Sequence, residues 1–306
     1  MATRAQISEC TARSIKRGLP VKKEKAEAIC NLFNINLKDG FTEQTKLQNL
    51  SANTIGHHHR LISSILSIAV QWQVLLSNPA QRVKPPKFNK KEARFLDDVQ
   101  AAELVNKLDN EPLKYKTMII VLIYSGMRRS ELCGLEWRDV DFDNNVLHIE
   151  RNSLYMTGKG TFTDTTKTAS SVRAMKLPEI VFKLLREYKA YQNAERLKLG
   201  DQWVESNRLF TQWNGKPIHP DTVSGWFKSF VQRNEFPDVS LHSLRHTNAT
   251  LLIASGTNIR TVSSRLGHAQ TSTTSNIYAH AIRSADAAAS DVLDNILSKG
   301  SSTNGK

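Results

Sequence analysis

The sequence predicts a mainly α protein that contains a small β-sheet or hairpin and is divided into two domains. Its 306 residues are long for a single hydrophobic core, and the usual size of a domain favours about two. Most segments repeat apolar residues every three or four positions, which is typical of amphipathic helices. Two segments, 146–152 and 171–177, are instead rich in strand-forming residues and predict a pair of strands.

Shifts in charge, together with proline and glycine, divide the chain into five expected parts. They are a basic N-terminal segment over 1–25, a helical domain over 26–82, a basic linker over 83–95, a larger domain over 96–298 and a flexible tail over 299–306. The linker contains two adjacent prolines, which exclude a helix. It also carries five basic side chains that we expect to lie along an anionic partner, although a solvated hinge has the same composition: Lys84, Lys87, Lys90, Lys91 and Arg94.

Two helices are predicted in the helical domain. A short one spans 26–38, and a long amphipathic one spans 54–76 after a cap at Ser51 or Asn53. Pro79 stops the second helix.

In the larger domain, helices are predicted on both sides of the strand pair. Asp97 is expected to cap the first of them, and the glycine-rich segment 156–169 separates the two strands. The helices are expected over 99–108, 115–126, 178–192 and 221–233.

The net charge is concentrated in the first third of the chain. Residues 1–95 hold 16 Lys or Arg against 6 Asp or Glu, which gives +10 of the total +13. A basic third attached to a nearly balanced body is typical of a nucleic-acid binder, although a soluble surface with extra lysines has the same composition. Three widely spaced cysteines without a CxxC pair support neither a disulfide framework nor a zinc finger. No segment resembles a signal peptide or reaches membrane-spanning length, so we expect a cytoplasmic protein, and binding to nucleic acid would make it nucleoid-associated.

The segment LHSLRHTNAT (241–250) places cationic and titratable side chains at the start of a predicted helix. Residues three and four apart share a helix face, so His242 lies beside Arg245 or His246. A fixed cation repels a protonated imidazole, and the cluster therefore favours an anion between its members. Phosphate is the obvious candidate.

Two further short helices are predicted after this segment, capped by Thr257 and by Ser272, with Gly267 ending the first. The three helices and their turns thus carry His242, Arg245, His268 and Tyr278 within a stretch of fewer than forty residues, and we expect them to gather these side chains.

Four motifs in this order carry a family resemblance: GMRRSELCGLEWRDVDF, TKTASSVRAMKLP, HSLRHTNATLL and LGHAQTSTTSNIYAH. They resemble the motifs of the tyrosine recombinase (phage integrase) family, over about residues 95–282. Upstream, the segment LSANTIGHHHRLISSILSIAVQWQVLLSNPAQRV resembles the core-DNA-binding domain of integrases from phages and conjugative transposons. The resemblance implies a helical core-binding domain followed by an α+β catalytic domain.

The resemblance also implies a role for particular residues. The family's catalytic positions fall on Arg128, Lys167, His242, Arg245, His268 and Tyr278, with Glu131 as a supporting acid that orients Arg128 or a histidine. Tyr278 is the implied nucleophile and Lys167, on a hairpin turn, the implied proton donor. Lys159 competes with Lys167 for that role. His246 and His280 are expected to be structural.

The chemistry of a phosphodiester explains these residue types. Two guanidiniums hold the non-bridging oxygens and stay charged at any pH, so they stabilise the transition state electrostatically. His242 is the expected acceptor or orienting group for the proton that Tyr278 loses on attack. The product is a 3′-phosphotyrosyl link that conserves bond energy, so DNA can be rejoined without ATP. We expect no cofactor and no metal, since the sequence lacks the carboxylate cluster of two-metal nucleases.

The implied partners are double-stranded DNA with recombination core sites, further copies of this chain in a homotetramer, and accessory factors that set the direction of the reaction. Residues 282–297 predict an amphipathic C-terminal helix, which in the family packs on a neighbouring protomer; packing on its own domain is the alternative. Residues 1–25 are too short for the arm-site-binding domain of larger integrases, so they are either the remnant of a longer N-terminus or part of a simpler recombinase. Two rival functions remain open: a type IB topoisomerase that only nicks and closes, and a DNA-binding regulator with an impaired active site.

Overall fold

The structure is a computed structural model that falls into two compact units, Met1–Lys91 and Glu92–Lys306. The residues that it describes are 7–42, 50–87, 94–165, 172–267 and 270–278. The predicted C-terminal helix over 282–297 and the tail lie outside these ranges.

The first unit is helical, and it includes a helix that the sequence analysis did not predict. Ser8 caps this helix, α1, by accepting a hydrogen bond from the backbone N–H of Thr11. A small apolar cluster joins Ile7 to Ile29 of the next helix. The unit's helices are α1 (Glu9–Lys16), α2 (Lys23–Phe33), α3 (Leu37–Gly40) and α4 (Ala52–Gln71).

The single helix predicted over 26–38 is wrong, because the chain breaks into α2 and α3. Asn34 ends α2 in the left-handed conformation, with φ of 54°, and an α-helix cannot continue through such a residue. The long helix is confirmed as α4, with Ser51 as its cap. It ends at Gln71, before the predicted end at residue 76, and Gln73 then takes a positive φ.

The second unit contains eight α-helices and five strands among its described residues. Its helices are α5 (Asp98–Lys107), α6 (Leu113–Ser125), α7 (Arg129–Gly134), α8 (Glu179–Leu199), α9 (Pro220–Arg233), α10 (Leu241–Ala254), α11 (Ile259–Leu266) and α12 (Thr271–Ile277). Its strands are β1 (Val140–Asp141), β2 (Val146–Ile149), β3 (Arg151–Met156), β4 (Gly160–Thr165) and β5 (Arg173–Lys176).

The predicted strand pair is confirmed as β2 and β5, which run antiparallel with Leu147 opposite Met175. With β1 they form a three-stranded sheet in the order β1-β2-β5. The glycine-rich segment between them was predicted only as a connection. It holds most of a second pair, the β3–β4 hairpin, whose turn uses Gly158 and Gly160 at positive φ.

Helix α6 lies at the centre of this unit's core. Most of its side chains are buried, and it packs against α8 and α10. Gly126 ends it with φ of 65°, as predicted, and directs the chain toward α7. Within the described residues, no helix combines the length and the apolarity that crossing a bilayer requires.

The three helices that follow residue 240 form as predicted, with different caps for the last two. Asn258 rather than Thr257 caps α11, because its side chain reaches the backbone N–H of Arg260. Gln270 precedes α12 without a side-chain cap, and Ser272 lies within that helix. Gly267 ends α11 with φ of 67°, as predicted.

Candidate active site

Arg128 lies at the start of α7, where it forms a reciprocal contact with Glu131. Its backbone N–H donates to Glu131 Oε2 at 2.8 Å, and its guanidinium Nη1 donates to Oε1 at 3.0 Å. The side chain of Arg128 remains 40% exposed, whereas that of Glu131 is 1% exposed. Glu131 therefore fixes one side of the guanidinium and leaves the rest accessible.

Arg173, on β5, approaches the same carboxylate from another direction. Its Nη2 lies 2.8 Å from Glu131 Oε2 and its Nη1 3.2 Å from Oε1. Burial raises the pKa of Glu131, but the hydrogen bond and charge of Arg173 and the contacts from Arg128 outweigh it, so that the pKa is lowered overall. Glu131 is therefore ionised at neutral pH and lies between two cations.

Arg245, on α10, is buried and held by two backbone carbonyls. Its Nη1 donates to Gly126 O at 2.8 Å and its Nη2 to Leu266 O at 2.7 Å. Both carbonyls belong to helix ends, where no intrahelical N–H is available to them. Arg245 thus links the end of α6 to the end of α11 and still has three of its five N–H donors outside these two bonds.

The end of α11 anchors all three of these arginines through consecutive carbonyls. Arg173 Nε donates to the carbonyl of residue 265 at 2.8 Å, Arg245 to that of Leu266, and Arg128 Nη2 lies 3.5 Å from that of Gly267. The C-terminus of a helix carries partial negative charge, which favours cations there. We call Arg128, Glu131, Arg173 and Arg245 the arginine cluster.

The arginine cluster contains three guanidiniums and one carboxylate, so it carries an excess of positive charge. Burial, together with the charges of the neighbouring Arg128 and Arg173, lowers the pKa of Arg245 to about 10 against the opposing effect of Glu131. Even so, Arg245 stays charged at neutral pH. A bound anion such as a phosphate would relieve the repulsion among these cations.

Tyr278 follows α12 at the edge of a second apolar cluster formed by α10 and α11. Its side chain is almost fully buried, and its hydroxyl oxygen lies 2.9 Å from Nδ1 of His246. The rings of His246 and His242 meet edge to face, with centroids 4.6 Å apart. We call His242, His246 and Tyr278 the nucleophile cluster, after the role predicted for Tyr278.

The members of the nucleophile cluster are uncharged at neutral pH. Burial raises the pKa of Tyr278 to about 12, although Arg245 opposes this shift. Burial, His242 and Arg245 lower the pKa of His246 to about 4. Burial and the charges of Arg245 and Arg128 also lower the pKa of His242. The hydrogen bond between Tyr278 and His246 therefore joins two neutral groups.

The structure brings together Arg128, Glu131, His242, Arg245 and Tyr278 of the predicted site residues. Lys167 and His268 lie outside the described residues. Lys159, the alternative to Lys167, is described at the β3–β4 turn, where its Nζ lies 4.2 Å from the ring centre of Phe162.

The basic residues of the predicted linker differ in their surroundings. Lys84 and Lys87 are exposed, and Arg94 forms an ion pair of 2.7 Å with Asp238. Lys90 and Lys91 lie outside the described residues.

Sequence reasoning missed two contacts of this site. His246 was expected to be structural, yet it contacts the Tyr278 hydroxyl, and no described hydrogen bond joins that hydroxyl to His242. Arg173 was part of a quoted motif without a role. The spacing of His242 and His246, four residues apart on α10, is the signal that could have indicated a shared function.

Carboxylate, imidazole and thiolate groups do not converge on a common point in the described part of the chain. No group of three or more such side chains there is arranged to hold a metal ion.

The fold and these residues can be compared with known proteins. The model of the phage integrase family matches residues 94–284, well over half of the chain. The chain therefore belongs to the phage integrase family, the tyrosine recombinases, and is a DNA strand-transferring enzyme.

The chain is also similar in sequence to individual proteins of this kind. It is similar to the ICEBs1 integrase of Bacillus subtilis, with 28% identity over 254 residues that cover 83% of this chain and 68% of that protein. A tyrosine recombinase of Thermosipho africanus is 34% identical over 230 residues, which cover 74% of this chain and 71% of the relative. The transposase from transposon Tn916 of Enterococcus faecalis is 28% identical over 250 residues, and the match spans 58% of that protein.

Solved structures share the fold. The Tn1549 transposon integrase in complex with transposon right end DNA matches with a TM-score of 0.68 and 23% identity, covering 95% of this chain and 96% of the other. A λ integrase dimer bound to a COC′ core site matches with a TM-score of 0.51 and 15% identity, over 89% of this chain and 72% of the other. The predicted fold class is thereby confirmed.

Proposed function

We propose that this chain integrates or excises a mobile element by site-specific recombination, and that Tyr278 is the residue that becomes joined to DNA. The observation that carries the proposal is the excess positive charge of the arginine cluster beside a buried tyrosine hydroxyl. Arg245 and Arg128 are both near Tyr278 or its partner histidines, as their effects on the pKa values of these groups indicate. A DNA phosphate would supply the negative charge that the cluster lacks.

The reaction starts when a backbone phosphate binds between Arg128 and Arg245. The two guanidiniums neutralise its non-bridging oxygens and stabilise the additional charge of the pentavalent transition state. Glu131 holds Arg128 in position and is itself held by a hydrogen bond from Arg173. His242, which is exposed at the start of α10, supplies a further hydrogen bond to the phosphate.

Attack by Tyr278 forms a bond between its oxygen and phosphorus and breaks the bond from phosphorus to the 5′ oxygen. The resemblance assigns protonation of that oxygen to Lys167 and a hydrogen bond to the phosphate to His268. A 5′-hydroxyl of a second strand then reverses the step and rejoins the DNA. Rejoining needs no ATP, because the phosphotyrosyl bond conserves the energy of the phosphodiester.

The first unit would hold the DNA on which the second unit acts. Exposed Lys84 and Lys87 precede the second unit in sequence, and contacts to phosphates would make binding strongly dependent on salt. We propose a tetramer on two duplexes, assembled through residues 282–297, with nucleoid association following from DNA binding.

Covalent trapping tests the nucleophile. The protein is incubated with fragmented genomic DNA of the organism that encodes it, in EDTA and without ATP, and SDS-resistant adducts are captured and sequenced at their junctions. We expect adducts at a few defined sequences, none with Tyr278→Phe, and a normal yield with Tyr191→Phe, a control at an exposed tyrosine of α8. Phenylalanine keeps the buried ring, so loss of adduct reports on the hydroxyl.

Each other outcome points to a different function. Binding of the same DNA without any adduct would favour a regulator with an impaired site. Adducts with Tyr278→Phe would assign the nucleophile elsewhere, and cleavage that appears only when Mg²⁺ replaces EDTA would indicate a metal-dependent nuclease. A plasmid carrying two captured sites then separates recombination from relaxation alone, which would indicate a topoisomerase.

A further inference from the structure

His246 makes a contact that the family-based assignment of roles does not include. Its Nδ1 is the described hydrogen-bond partner of the Tyr278 hydroxyl, at 2.9 Å, and the two rings lie 5.6 Å apart between centroids. The hydroxyl oxygen is the atom that attacks phosphorus in the proposed reaction. A group at hydrogen-bond distance from a nucleophile meets the first geometric requirement for a general base.

We propose that His246 is a catalytic residue that accepts the proton of Tyr278 when the phenol attacks the DNA phosphate. This inference rests on the proposed function. In the forward step, the bond from Tyr278 oxygen to phosphorus forms, the phenolic proton moves to His246 Nδ1, and the 5′ oxygen leaves with a proton from the general acid. When a 5′-hydroxyl attacks the phosphotyrosine, His246 returns its proton to the departing phenol oxygen.

Adjacent residues of α10 direct their side chains toward different partners. Arg245 is directed toward the carbonyls of Gly126 and Leu266, whereas the next residue, His246, is directed toward Tyr278. His242 lies one turn earlier and is exposed, so it can face the phosphate. The helix therefore presents a phosphate-holding group and a group for the nucleophile side by side.

Binding of the phosphate would make His246 a better proton acceptor. The titratable and charged groups that act on it are His242 and Arg245 on α10 and Tyr278 after α12. Burial, His242 and the charge of Arg245 keep its pKa near 4 in the DNA-free protein. A phosphate on Arg245 offsets that charge, so the pKa of His246 rises when DNA is in place. Tyr278 itself is protonated in the DNA-free protein, because burial raises its pKa to about 12.

A substrate with sulfur in place of the bridging 5′ oxygen separates a role at the nucleophile from one at the leaving group. A thiolate leaves without a proton, so this substrate restores a variant that lacks the general acid but not one that lacks the base. The probes are duplex oligonucleotides that carry the junction captured by the wild-type protein, with oxygen or with sulfur at the bridging position. Adduct formation is measured in single turnover for the wild type, His246→Asn, Lys167→Ala and the control His148→Asn on β2.

We expect His246→Asn to form adduct about 10²- to 10⁴-fold more slowly on both substrates, with DNA affinity and thermal stability near those of the wild type. Asparagine retains a polar group near the position of Nδ1, so a purely structural role would leave the rate intact. His148→Asn should match the wild type, and Lys167→Ala should recover on the sulfur substrate. A rate for His246→Asn within threefold of the wild type overturns the proposal, as does its recovery on the sulfur substrate.

The pH dependence of the wild type provides a second test that needs no variant. On the sulfur substrate, the rate should rise across one ionisation between about pH 4 and pH 7 as His246 loses its proton. A flat profile would overturn the role of His246 even if His246→Asn failed to fold. Absence of any wild-type adduct would instead overturn the proposed function itself.

Discussion

The arginine cluster and the nucleophile cluster differ in how firmly the protein holds them. Each arginine of the first donates to a carboxylate, to a backbone carbonyl or to both, and the carbonyls come from the ends of α6 and α11. In the second, a single described hydrogen bond joins His246 to Tyr278. The proposed phosphate-binding half is therefore fixed by several charged hydrogen bonds, whereas the Tyr278 side chain, although buried among apolar residues, has one described hydrogen bond, to a neutral group.

Because of this difference, substitutions in the two clusters should affect stability and activity to different degrees. Arg245 donates hydrogen bonds to two buried carbonyls. Its loss leaves these carbonyls unpaired, which lowers the free energy of unfolding, and it should also impair the proposed catalysis. Tyr278 contributes one hydrogen bond between neutral groups and a ring that phenylalanine can replace. Changes in the arginine cluster should lower both unfolding free energy and activity, and changes in the nucleophile cluster mainly activity.

The largest combined effect is expected for Arg245→Lys. An ammonium on a flexible stem cannot donate to Gly126 and Leu266 in the planar geometry of the guanidinium, nor hold a phosphate in two places. We expect adduct formation to fall by about 10²- to 10³-fold and the free energy of unfolding to fall by about 2 to 4 kcal/mol. Urea unfolding and covalent trapping measure the two effects.

Arg196→Lys serves as the control for Arg245→Lys, because Arg196 forms an exposed ion pair with Glu205. It should change neither quantity measurably. An Arg245→Lys protein with wild-type stability would show that the carbonyl contacts contribute nothing to the fold and would remove the contrast between the clusters.

Glu131→Gln should have the next largest effect, mainly on stability. It removes the only carboxylate of the arginine cluster and leaves Arg128 and Arg173 with a neutral partner, which we expect to cost about 3 kcal/mol. Because the pKa of Glu131 is lowered in the folded protein, its contribution is present above its ordinary pKa and is lost as the pH falls through the folded value. The free energy of unfolding should therefore fall less steeply with decreasing pH in the variant than in the wild type.

The exposed ion pair of Glu179 with Arg186 provides the matched control, Glu179→Gln. Urea unfolding from pH 3 to pH 7 compares the two variants with the wild type. If both variants lost the same unfolding free energy, the buried ion pairs of Glu131 would stabilise the protein no more than an exposed ion pair does.

The sequence allowed much of this site to be predicted where the signal is local. Gly126 and Gly267 mark helix ends, and the spacing of His242 and Arg245 indicates a shared anion. The contacts of Glu131 with Arg173, 42 residues away, and of His246 with Tyr278, 32 residues away, depend on packing that no local pattern encodes. Hence the residues of the site could be named, while the partner of each could not.

Local chemistry also explains the elements that were missed. The β3–β4 hairpin is rich in glycine and threonine around its turn, so its composition is that of a loop. Helix α1 is short and polar. Only two of its apolar residues, Ala12 and Ile15, are partly buried, which is too few to give a recognisable helical repeat of apolar residues. Both elements form because another segment packs against them.

A pH-dependent effect is expected from the nucleophile cluster. The pKa of His246 is lowered to about 4 in the folded protein, so between that value and its ordinary 6.5 the unfolded chain binds more protons. Stability should therefore fall as the pH decreases from 6.5 toward 4, by at most about 2 kcal/mol between pH 7 and pH 5. His246→Asn should reduce this slope, as urea midpoints at pH 5 and pH 7 would reveal.

At neutral pH the same substitution should cost little, since it removes one hydrogen bond between neutral groups. A large loss of stability for His246→Asn at pH 7 would contradict the separation between the two clusters. An unchanged slope between pH 5 and pH 7 would mean that another group dominates the titration.

The smallest effect is expected from Gly267→Ala measured against Gly256→Ala. Both glycines have positive φ, 67° and 82°, so each substitution costs about 1 kcal/mol of backbone strain. A Cβ at Gly256 would meet nothing within 4 Å, whereas one at Gly267 would lie 2.9 Å from Nη1 of Arg173. The extra loss at Gly267 in urea unfolding, about 1 kcal/mol, therefore measures how tightly the arginine cluster packs around the end of α11. Adduct formation should fall only for Gly267→Ala, because moving Arg173 also moves Glu131 and Arg128. Equal losses at the two positions would mean that the arginine cluster adjusts freely, and the contrast between an arginine cluster fixed by many polar contacts and a nucleophile cluster with a single described hydrogen bond would then have to be abandoned.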